Sequence, residues 1–167
     1  MIYYIFRHGE TYFSKNNLHY GEHYQDAEIL PEAVPVIEKL AEYLKNKISE
    51  DNYTSPFKRA VQTVEIVERI TGKKFIYNER IKEEGLSRAE ESLEQLEKRL
   101  SDFIKDVESK NAKSVAVCSH GWPIAALLGL LNKGYITKMD LAKYPECGQL
   151  ITVENKTIKT LDFNQGG

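Results

Sequence analysis

Short apolar runs alternate with longer amphipathic segments along most of this chain, and this alternation is what most constrains its fold. The runs at residues 2–6, 114–118 and 150–153, with shorter ones ending at Thr54 and Tyr77, have the character of buried strands. Between them lie segments whose apolar residues recur at helical spacing. Strands that alternate with helices usually pair in parallel and need a helical layer on each face. We therefore predict an α/β fold with a parallel or mixed sheet.

Four helices are predicted, over residues 31–48, 55–72 and 87–107 and from Pro123 onwards. Ser55 is followed by a proline, which is the pattern of a helix N-cap and a first helical residue. The third helix is expected to open on a capping box, because it starts with Ser-Arg-Ala-Glu.

Composition and charge exclude several broad classes of protein. The chain has 167 residues, with 23 Lys+Arg against 25 Asp+Glu, a formal charge of −2 and 41% hydrophobic residues. These values are typical of a folded globular protein, and we expect one domain over residues 1–167. The near-neutral charge argues against a surface that coats nucleic acid, and no apolar stretch approaches the ~20 residues that span a bilayer. We expect neither nucleic acid nor a membrane as partner.

The cysteines and histidines give no sign of a metal centre. Cys118 lies in a predicted buried strand, and its spacing from Cys147 is not that of metal ligands. The histidines at positions 19 and 23 have a metal-like spacing, but they lie in a glycine-containing loop with no evident third ligand. Two unpaired cysteines are typical of a reducing compartment. We therefore predict a cytoplasmic protein with no metal and no other cofactor.

Three polar clusters occur where an open α/β sheet places its ligands, at strand ends that turn into helices. They are residues 7–11 (Arg-His-Gly-Glu-Thr), 55–60 (Ser-Pro-Phe-Lys-Arg-Ala) and 119–121 (Ser-His-Gly). Together they are expected to bring two histidines and two arginines to one edge of the sheet. Guanidinium groups bind phosphoryl oxygens in bidentate pairs, and a neutral imidazole can attack phosphorus. The combination predicts phosphoryl chemistry.

These clusters resemble the motifs of the histidine phosphatase superfamily, which has the phosphoglycerate mutase-like fold. Residues 7–11 match its Arg-His-Gly-Glu-Ser/Thr motif, residues 55–63 its Ser-Pro-x-x-Arg-Ala-x-Gln-Thr motif, and residues 119–121 its Ser-His-Gly motif. The resemblance extends from residue 1 to about residue 163. It implies a three-layer α/β/α sandwich with a mostly parallel central sheet, and a phosphatase that works through a covalent phosphohistidine.

The resemblance also implies roles for individual residues. His8 would be the nucleophile, and Arg7 and Arg59 would bind the phosphate. His120 would be a second catalytic histidine that contacts the phosphate and is cationic when substrate is bound. Thr11 would make a minor phosphate contact.

The proton donor implied by the resemblance is Glu83, because residues 79–83 (Glu-Arg-Ile-Lys-Glu) align with the family's Arg-Leu-x-Glu pattern. The neighbouring Glu84 is the alternative. A carboxylic acid that acts near neutral pH needs a raised pKa. Ser14 stands where many relatives have a phosphate-binding asparagine, and the asparagines at positions 16 and 17 are alternatives to it.

A short connection bears on the type of reaction. Larger members of the family insert a long lid after the proton donor, whereas here only residues 84–90 separate Glu83 from Glu91. An open site exposes a phosphohistidine to water, so we predict hydrolysis. Mutase-type phosphoryl transfer and hydrolysis of protein phosphohistidine are the alternatives. Noncatalytic phosphate binding is disfavoured because every catalytic residue type is present.

Aromatic side chains crowd the loop after the first strand, at Tyr12, Phe13, Tyr20 and Tyr24. We expect them to form a pocket wall that selects the leaving group. The expected substrate is a small phosphorylated metabolite or a phosphoprotein.

Overall fold

The computed structural model describes residues 1–83 and 91–164. Six strands form its central sheet: β1 (Ile2–Arg7), β2 (Asp51–Thr54), β3 (Lys74–Tyr77), β4 (Ser114–Ser119), β5 (Gln149–Glu154) and β6 (Thr157–Asp162). Their order across the sheet is β3-β2-β4-β1-β5-β6. The first four in this order are parallel, whereas β5 is antiparallel to β1 and β6 to β5. The predicted mostly parallel sheet is therefore confirmed.

The described part of the chain contains five α-helices: α1 (Tyr12–Lys15), α2 (Ala33–Leu44), α3 (Lys58–Thr71), α4 (Leu93–Ser109) and α5 (Gly121–Lys133). Short 3₁₀ helices cover Gly21–His23, Glu79–Ile81 and Lys138–Ala142. Within residues 1–83 and 91–164, no helix has the length and apolar character needed to cross a membrane.

Alternate residues of the central strands enter two separate apolar cores. On β1, Tyr3 and Ile5 pack with α4 and α5, while Tyr4 and Phe6 pack with α2 and α3. A strand covered on both faces is apolar at nearly every position, and β4 is accordingly buried along its whole length. The sheet lies between two helical layers, so the predicted α/β/α sandwich is confirmed.

Several helix ends differ from the sequence prediction, including those of α2 and α5. Helix α2 ends at Leu44 and not at Ile48, although Ile48 is still buried. Asn46, with a φ of 68°, takes the chain out of the helical region just after the helix. Helix α5 begins at Gly121, two residues before Pro123. The proline fits there because the first helical residues have no intrahelical partner for their N–H groups.

The start of α4 was predicted too early. The helix begins at Leu93, and its capping box is formed by Ser92 and Gln95. The capping box expected at residues 87–90 lies outside the described residues. The same holds for the short connection over residues 84–90, from which the open site was predicted, and for Glu84.

Strands β2 and β4 pair through two residues of each strand. A buried asparagine side chain extends the contact between them. Asn52 Oδ1 accepts a hydrogen bond from the Ala116 amide at 2.9 Å. Asn52 Nδ2 donates to the carbonyl oxygens of Ser49 at 2.9 Å and Lys74 at 3.2 Å. One side chain therefore completes the pairing of β2 with both of its neighbours.

Replacing Asn52 with leucine should lower the free energy of unfolding by about 2–4 kcal/mol, because one buried and two partly buried backbone groups lose their partner. Urea denaturation followed by circular dichroism measures the change. The control is Asn132→Leu, which removes a single bond to the Lys156 carbonyl at the exposed surface. It should change stability by about 0.5 kcal/mol or less. Equal losses in the two variants would contradict this role of Asn52.

Candidate active site

The carboxyl ends of β1, β2 and β4 lie side by side at one edge of the sheet and lead into the three polar clusters. A cleft of about 520 Å³ lies there, and Arg7, His8, Arg59 and Glu83 are part of its wall. The His120 ring lies behind that of His8, with 5.2 Å between the ring centroids. The structure therefore brings together the five residues for which catalytic or main phosphate-binding roles were predicted.

His8 is buried and held in one tautomer. Its Nδ1 lies 2.8 Å from the carbonyl oxygen of Gly9. Because a carbonyl oxygen only accepts, Nδ1 carries the hydrogen and donates it, which leaves a lone pair on Nε2. Burial, together with the charges of Arg59 and Arg7, holds the pKa of His8 well below its usual range. The ring is therefore a neutral imidazole with Nε2 free to act as a nucleophile.

A short chain of hydrogen bonds joins the first cluster to the second. The Gly9 amide donates to Thr63 Oγ1 at 2.8 Å, and Thr63 Oγ1 donates to the Arg59 carbonyl oxygen at 2.7 Å. A Cβ on Gly9 would lie 2.6 Å from Cδ1 of Ile37 on α2. The absence of a side chain at Gly9 lets α2 pack closely against this turn.

Arg59 is buried at the start of α3 although it is charged. Its Nη1 donates a hydrogen bond to the Tyr24 carbonyl oxygen. Its guanidinium carbon lies 4.0 Å from the ring centroid of Tyr20 and 5.5 Å from that of Phe57. Cation–π contacts of this kind stabilise a guanidinium group that is partly removed from water.

Arg7 is held in a similar way by the segment before β5. Its Nη1 donates to the Pro145 carbonyl oxygen at 3.2 Å, and its guanidinium carbon lies 5.2 Å from the ring centroid of Tyr144. Within the described residues, the buried Nε atoms of Arg7 and Arg59 have no hydrogen-bond partner. Two guanidinium groups with spare donors form a site suited to an anion.

Ser55 holds the ring of His120, with its Oγ 2.7 Å from His120 Nε2. The Ser55 hydroxyl also accepts a hydrogen bond from the Phe57 amide. The N-cap of α3 is Phe57, so the predicted capping role of Ser55 is wrong. A serine followed by a proline can cap a helix, and it can equally well hold a distant histidine by a hydrogen bond. Only the position of His120 in the fold distinguishes these two roles of Ser55.

His120 is neutral in this arrangement. Burial, the charge of Arg59 and the nearby His8 hold the pKa of His120 well below its usual range. Its Nδ1 lies 3.8 Å from Glu83 Oε2, which is beyond hydrogen-bond distance. A phosphate dianion bound in the cleft would favour the cationic form.

Glu83 lies in the wall of the cleft with 23% of its side chain exposed. Burial raises the pKa of Glu83 to about 7, and the opposing charges of Arg59, Arg7 and Arg99 do not cancel that effect. A carboxyl group with this pKa both holds and releases a proton near neutral pH, as a general acid or base must.

Thr11 and Ser14 form the capping box of α1. Thr11 Oγ1 accepts from the Ser14 amide at 3.0 Å, and Ser14 Oγ accepts from the Thr11 amide at 2.8 Å. Thr11 Oγ1 also lies 2.9 Å from the Tyr20 hydroxyl. Neither residue is part of the cleft wall, so their contacts with phosphate stay predictions.

Part of the predicted aromatic wall is present. Tyr20 and Tyr24 line the cleft, whereas Tyr12 is 59% exposed and outside its wall. Phe13 packs against Tyr20, with 5.0 Å between the ring centroids. The histidines at positions 19 and 23, whose spacing is metal-like, lie in the same loop. Of these two, His23 has its Nδ1 3.1 Å from Asp26 Oδ1.

Two aromatic residues of the cleft wall were missed from the sequence. Trp122 follows the third cluster, and Tyr144 lies in the segment before β5. A Cβ on Gly121 would lie 3.1 Å from two carbons of the Tyr144 ring. Gly121 is a sequence signal for a close approach, but it does not indicate which residue makes it.

The chain matches known proteins along most of its length. The model of the "Histidine phosphatase superfamily (branch 1)" matches residues 3–91 and 83–166. "Putative phosphoserine phosphatase 2" of Hydrogenobacter thermophilus is 24% identical over 160 residues, and the match covers 77% of each chain.

Solved structures with the same fold include a mycobacterial glucosyl-3-phosphoglycerate phosphatase, at a TM-score of 0.76 and 18% identity over 96% of both chains. The protein histidine phosphatase SixA has a TM-score of 0.68 and 17% identity, and the match covers 98% of this chain and 97% of SixA. At these identities the structures support the fold class alone.

Glu83→Gln should stabilise the protein at a pH of about 8. Folding raises the pKa of Glu83 from 4.5 to about 7. In the pH range between these two values, the folded protein keeps the proton on Glu83 and the unfolded chain has lost it. Wild-type stability therefore falls as the pH rises through that range, whereas glutamine has no proton to lose. We expect the variant to be about 1–3 kcal/mol more stable at a pH of about 8 and about equal to wild type at a pH of about 4.

Urea denaturation at both pH values measures this difference. The control is Glu79→Gln, whose exposed carboxylate pairs with Lys82 at 3.1 Å. Exposed pairs contribute about 0–1 kcal/mol, so its stability difference from wild type should be small and nearly constant at the two pH values. A Glu83 variant that behaves like this control would contradict the raised pKa.

Proposed function

The chain belongs to the histidine phosphatase superfamily, and from this premise we propose that it is a phosphomonoester hydrolase with a phosphohistidine intermediate on His8. One observation carries the proposal. A neutral imidazole with a free Nε2 lies in one cleft with two arginines and a carboxyl group of pKa about 7. These are the nucleophile, the anion binders and the proton donor that the reaction requires.

In the proposed first step, Nε2 of His8 attacks phosphorus, and the bond from phosphorus to the ester oxygen breaks. Arg7 and Arg59 bind the non-bridging oxygens, and His120 supplies a further contact. Protonated Glu83 gives its proton to the leaving oxygen, so the alcohol departs neutral. The products of this step are the free alcohol, phosphohistidine and the Glu83 carboxylate.

In the second step, a water molecule attacks the phosphohistidine while the Glu83 carboxylate accepts one of its protons. The bond from Nε2 to phosphorus breaks and inorganic phosphate is released. His8 is neutral again and Glu83 is protonated again, so each turnover consumes one ester and one water. A pKa near 7 supports both roles of Glu83, because either protonation state is then accessible.

Hydrolysis is supported over transfer to a second alcohol. A mutase must keep water away from the phosphohistidine, which is the task of a closing lid. Only seven residues, 84–90, lie between Glu83 and Glu91, at the place in the sequence where larger members of the family insert a long lid. Relatives named as phosphatases add support. A cleft of about 520 Å³ is suited to a small phosphate ester.

We also propose that the protein works in the cytoplasm. Cys118 and Cys147 are both free thiols, and Cys118 is buried in β4. Free thiols are typical of compartments where disulfides are kept reduced.

His8→Ala should lower the rate of 4-nitrophenyl phosphate hydrolysis by about 10³-fold or more, because no other group in the cleft takes the place of the nucleophile. Wild type quenched in alkaline denaturant during turnover should contain phosphohistidine, and the variant should not. The control is His23→Ala, since this exposed histidine pairs with Asp26 and should leave the rate unchanged.

Two results would contradict the proposal. A His8→Ala protein that keeps the wild-type rate would exclude the phosphohistidine on this residue. A wild-type protein that interconverts phosphoglycerates faster than it releases inorganic phosphate would be a mutase.

Glu83→Gln should lower the first-turnover rate for an alkyl phosphate by about 10²–10⁴-fold, because the alkoxide cannot leave without a proton. With 4-nitrophenyl phosphate the first turnover should be nearly unaffected, since nitrophenolate is a stable anion. Rapid-quench measurements give both rates. In wild type, the alkyl ester rate should fall as the pH rises above about 7, where Glu83 loses its proton. Glu79→Gln is the control, and equal losses with the two esters would exclude Glu83 as the acid.

A further inference from the structure

The charged side chains of the cleft wall are grouped at one place. In the described part of the wall, the arginine and acidic side chains are those of Arg7, Arg59 and Glu83, and His8 and His19 are its histidines. The proposed hydrolase uses all of these except His19 on the phosphoryl group and the ester oxygen. The alcohol part of the substrate must therefore contact the rest of the wall.

Half of the residues in the rest of the wall are tyrosine or tryptophan, and the others are Leu18, His19 and two glycines. The aromatic half consists of the rings of Tyr20, Tyr24, Trp122 and Tyr144, which we call the aromatic rim. Two of these rings come from the loop after β1, one from the first turn of α5 and one from the segment before β5. Rings from three separate parts of the chain therefore meet beside the charged group.

Tyr144 is placed to contact a substrate next to the phosphate. Its ring lies over Arg7, with 5.2 Å from the guanidinium carbon to the ring centroid. Two of its ring carbons pack against Gly121, where a Cβ would make an unusually tight contact with the ring at 3.1 Å. Even so, 43% of Tyr144 is exposed. The ring is held by packing at Gly121 while a large part of its surface is available.

Two other rings of the aromatic rim are also held in place. Tyr20 stacks on Arg59 at 4.0 Å, and its hydroxyl lies 2.9 Å from Thr11 Oγ1. Trp122 is partly buried against the core formed by α4 and α5. Aromatic rings in fixed positions favour a flat aromatic ligand, because ring pairs gain more than the burial of their area alone provides.

A charged alcohol is less well matched. Phosphoserine carries a carboxylate and an ammonium group beside the ester, and a phosphoglycerate carries a carboxylate. Such groups need a counter-charge or several placed donors when they leave water. Apart from Arg7, Arg59 and Glu83, the described part of the cleft wall has no arginine, lysine or acidic side chain for them, and His19 is the one basic residue beside the aromatic rim.

We propose that the alcohol part of the substrate carries a planar aromatic ring system, held by the aromatic rim while the phosphate lies between Arg7 and Arg59. This inference rests on the proposed hydrolase and names its substrate class. An aryl alcohol and a nucleoside share the required chemistry. The cleft volume of about 520 Å³ is sufficient for a phosphate and one ring system.

The test compares kcat/KM for four esters of primary alcohols, namely benzyl phosphate, cyclohexylmethyl phosphate, O-phosphoserine and adenosine 5′-monophosphate. Their leaving groups are similar in kind, so differences report mainly on binding of the alcohol part. Benzyl phosphate should exceed phosphoserine by about 10–100-fold and cyclohexylmethyl phosphate by about 3–10-fold. Adenosine monophosphate should also exceed phosphoserine if the natural ring is a nucleoside base, and should not if it is a simple aryl group.

Variants of the aromatic rim give a second readout. Tyr144→Ala and Trp122→Ala should each lower the ratio of kcat/KM for benzyl phosphate over phosphoserine by about 5–10-fold. Any loss that acts through Arg7 affects both esters and cancels in this ratio. Tyr144→Phe should keep the wild-type ratio because the ring is retained.

The matched control is Tyr135→Ala. Tyr135 is 54% exposed and its ring also lies over a cation, with Lys133 Nζ 4.9 Å from the centroid, but it follows the opposite end of α5. Its removal should leave the ratio unchanged.

Failure of this inference and failure of the hydrolase are distinguishable. Hydrolysis of 4-nitrophenyl phosphate with a preference for phosphoserine, or with a ratio that Tyr144→Ala and Trp122→Ala do not change, would overturn the aromatic substrate class alone. A wild type that hydrolyses none of these esters would overturn the hydrolase and this inference with it.

Discussion

The hydrogen bonds from the Gly9 amide to Thr63 and from Thr63 to the Arg59 carbonyl join the end of β1 to the first turn of α3. His8 precedes Gly9, so this connection fixes the distance between the imidazole and the buried guanidinium. The same turn packs against Ile37 of α2 where a side chain would not fit. Buried backbone and hydroxyl groups therefore hold together the two segments that carry the imidazole and the buried guanidinium.

Electrostatics follows from that geometry. Two arginines, two histidines and one carboxyl group lie close together at the cleft, and burial and neighbouring charges determine the protonation of the histidines and the carboxyl group. Burial and the arginine charges keep His8 and His120 neutral, while burial keeps Glu83 protonated up to a pH of about 7. The cleft carries an excess of positive charge, which a phosphate dianion would neutralise. The cost of burying these groups is thus recovered when an anion binds.

Apolar periodicity was sufficient to predict the sheet and the two helical layers, because burial on both faces leaves a strong pattern in the sequence. The three clusters were sufficient to predict that Arg7, His8 and Arg59 meet, since parallel strands end at one edge of the sheet. Ser55 was assigned wrongly because its local pattern is that of a helix cap, whereas its partner His120 is distant in sequence. Tyr144 carries no local signal at all, since only the tertiary fold brings it onto Arg7.

Because β5 is antiparallel to β1, two kinds of segment reach the cleft. Every parallel strand delivers the loop that follows it to this edge, and those loops carry the charged residues. Strand β5 runs the other way, with Leu150 beside Phe6, so it delivers the segment that precedes it. Tyr144 and Pro145 reach the cleft by this route. Sequence changes in this one segment can therefore reshape the mouth of the cleft while the residues proposed for the chemistry stay on other loops.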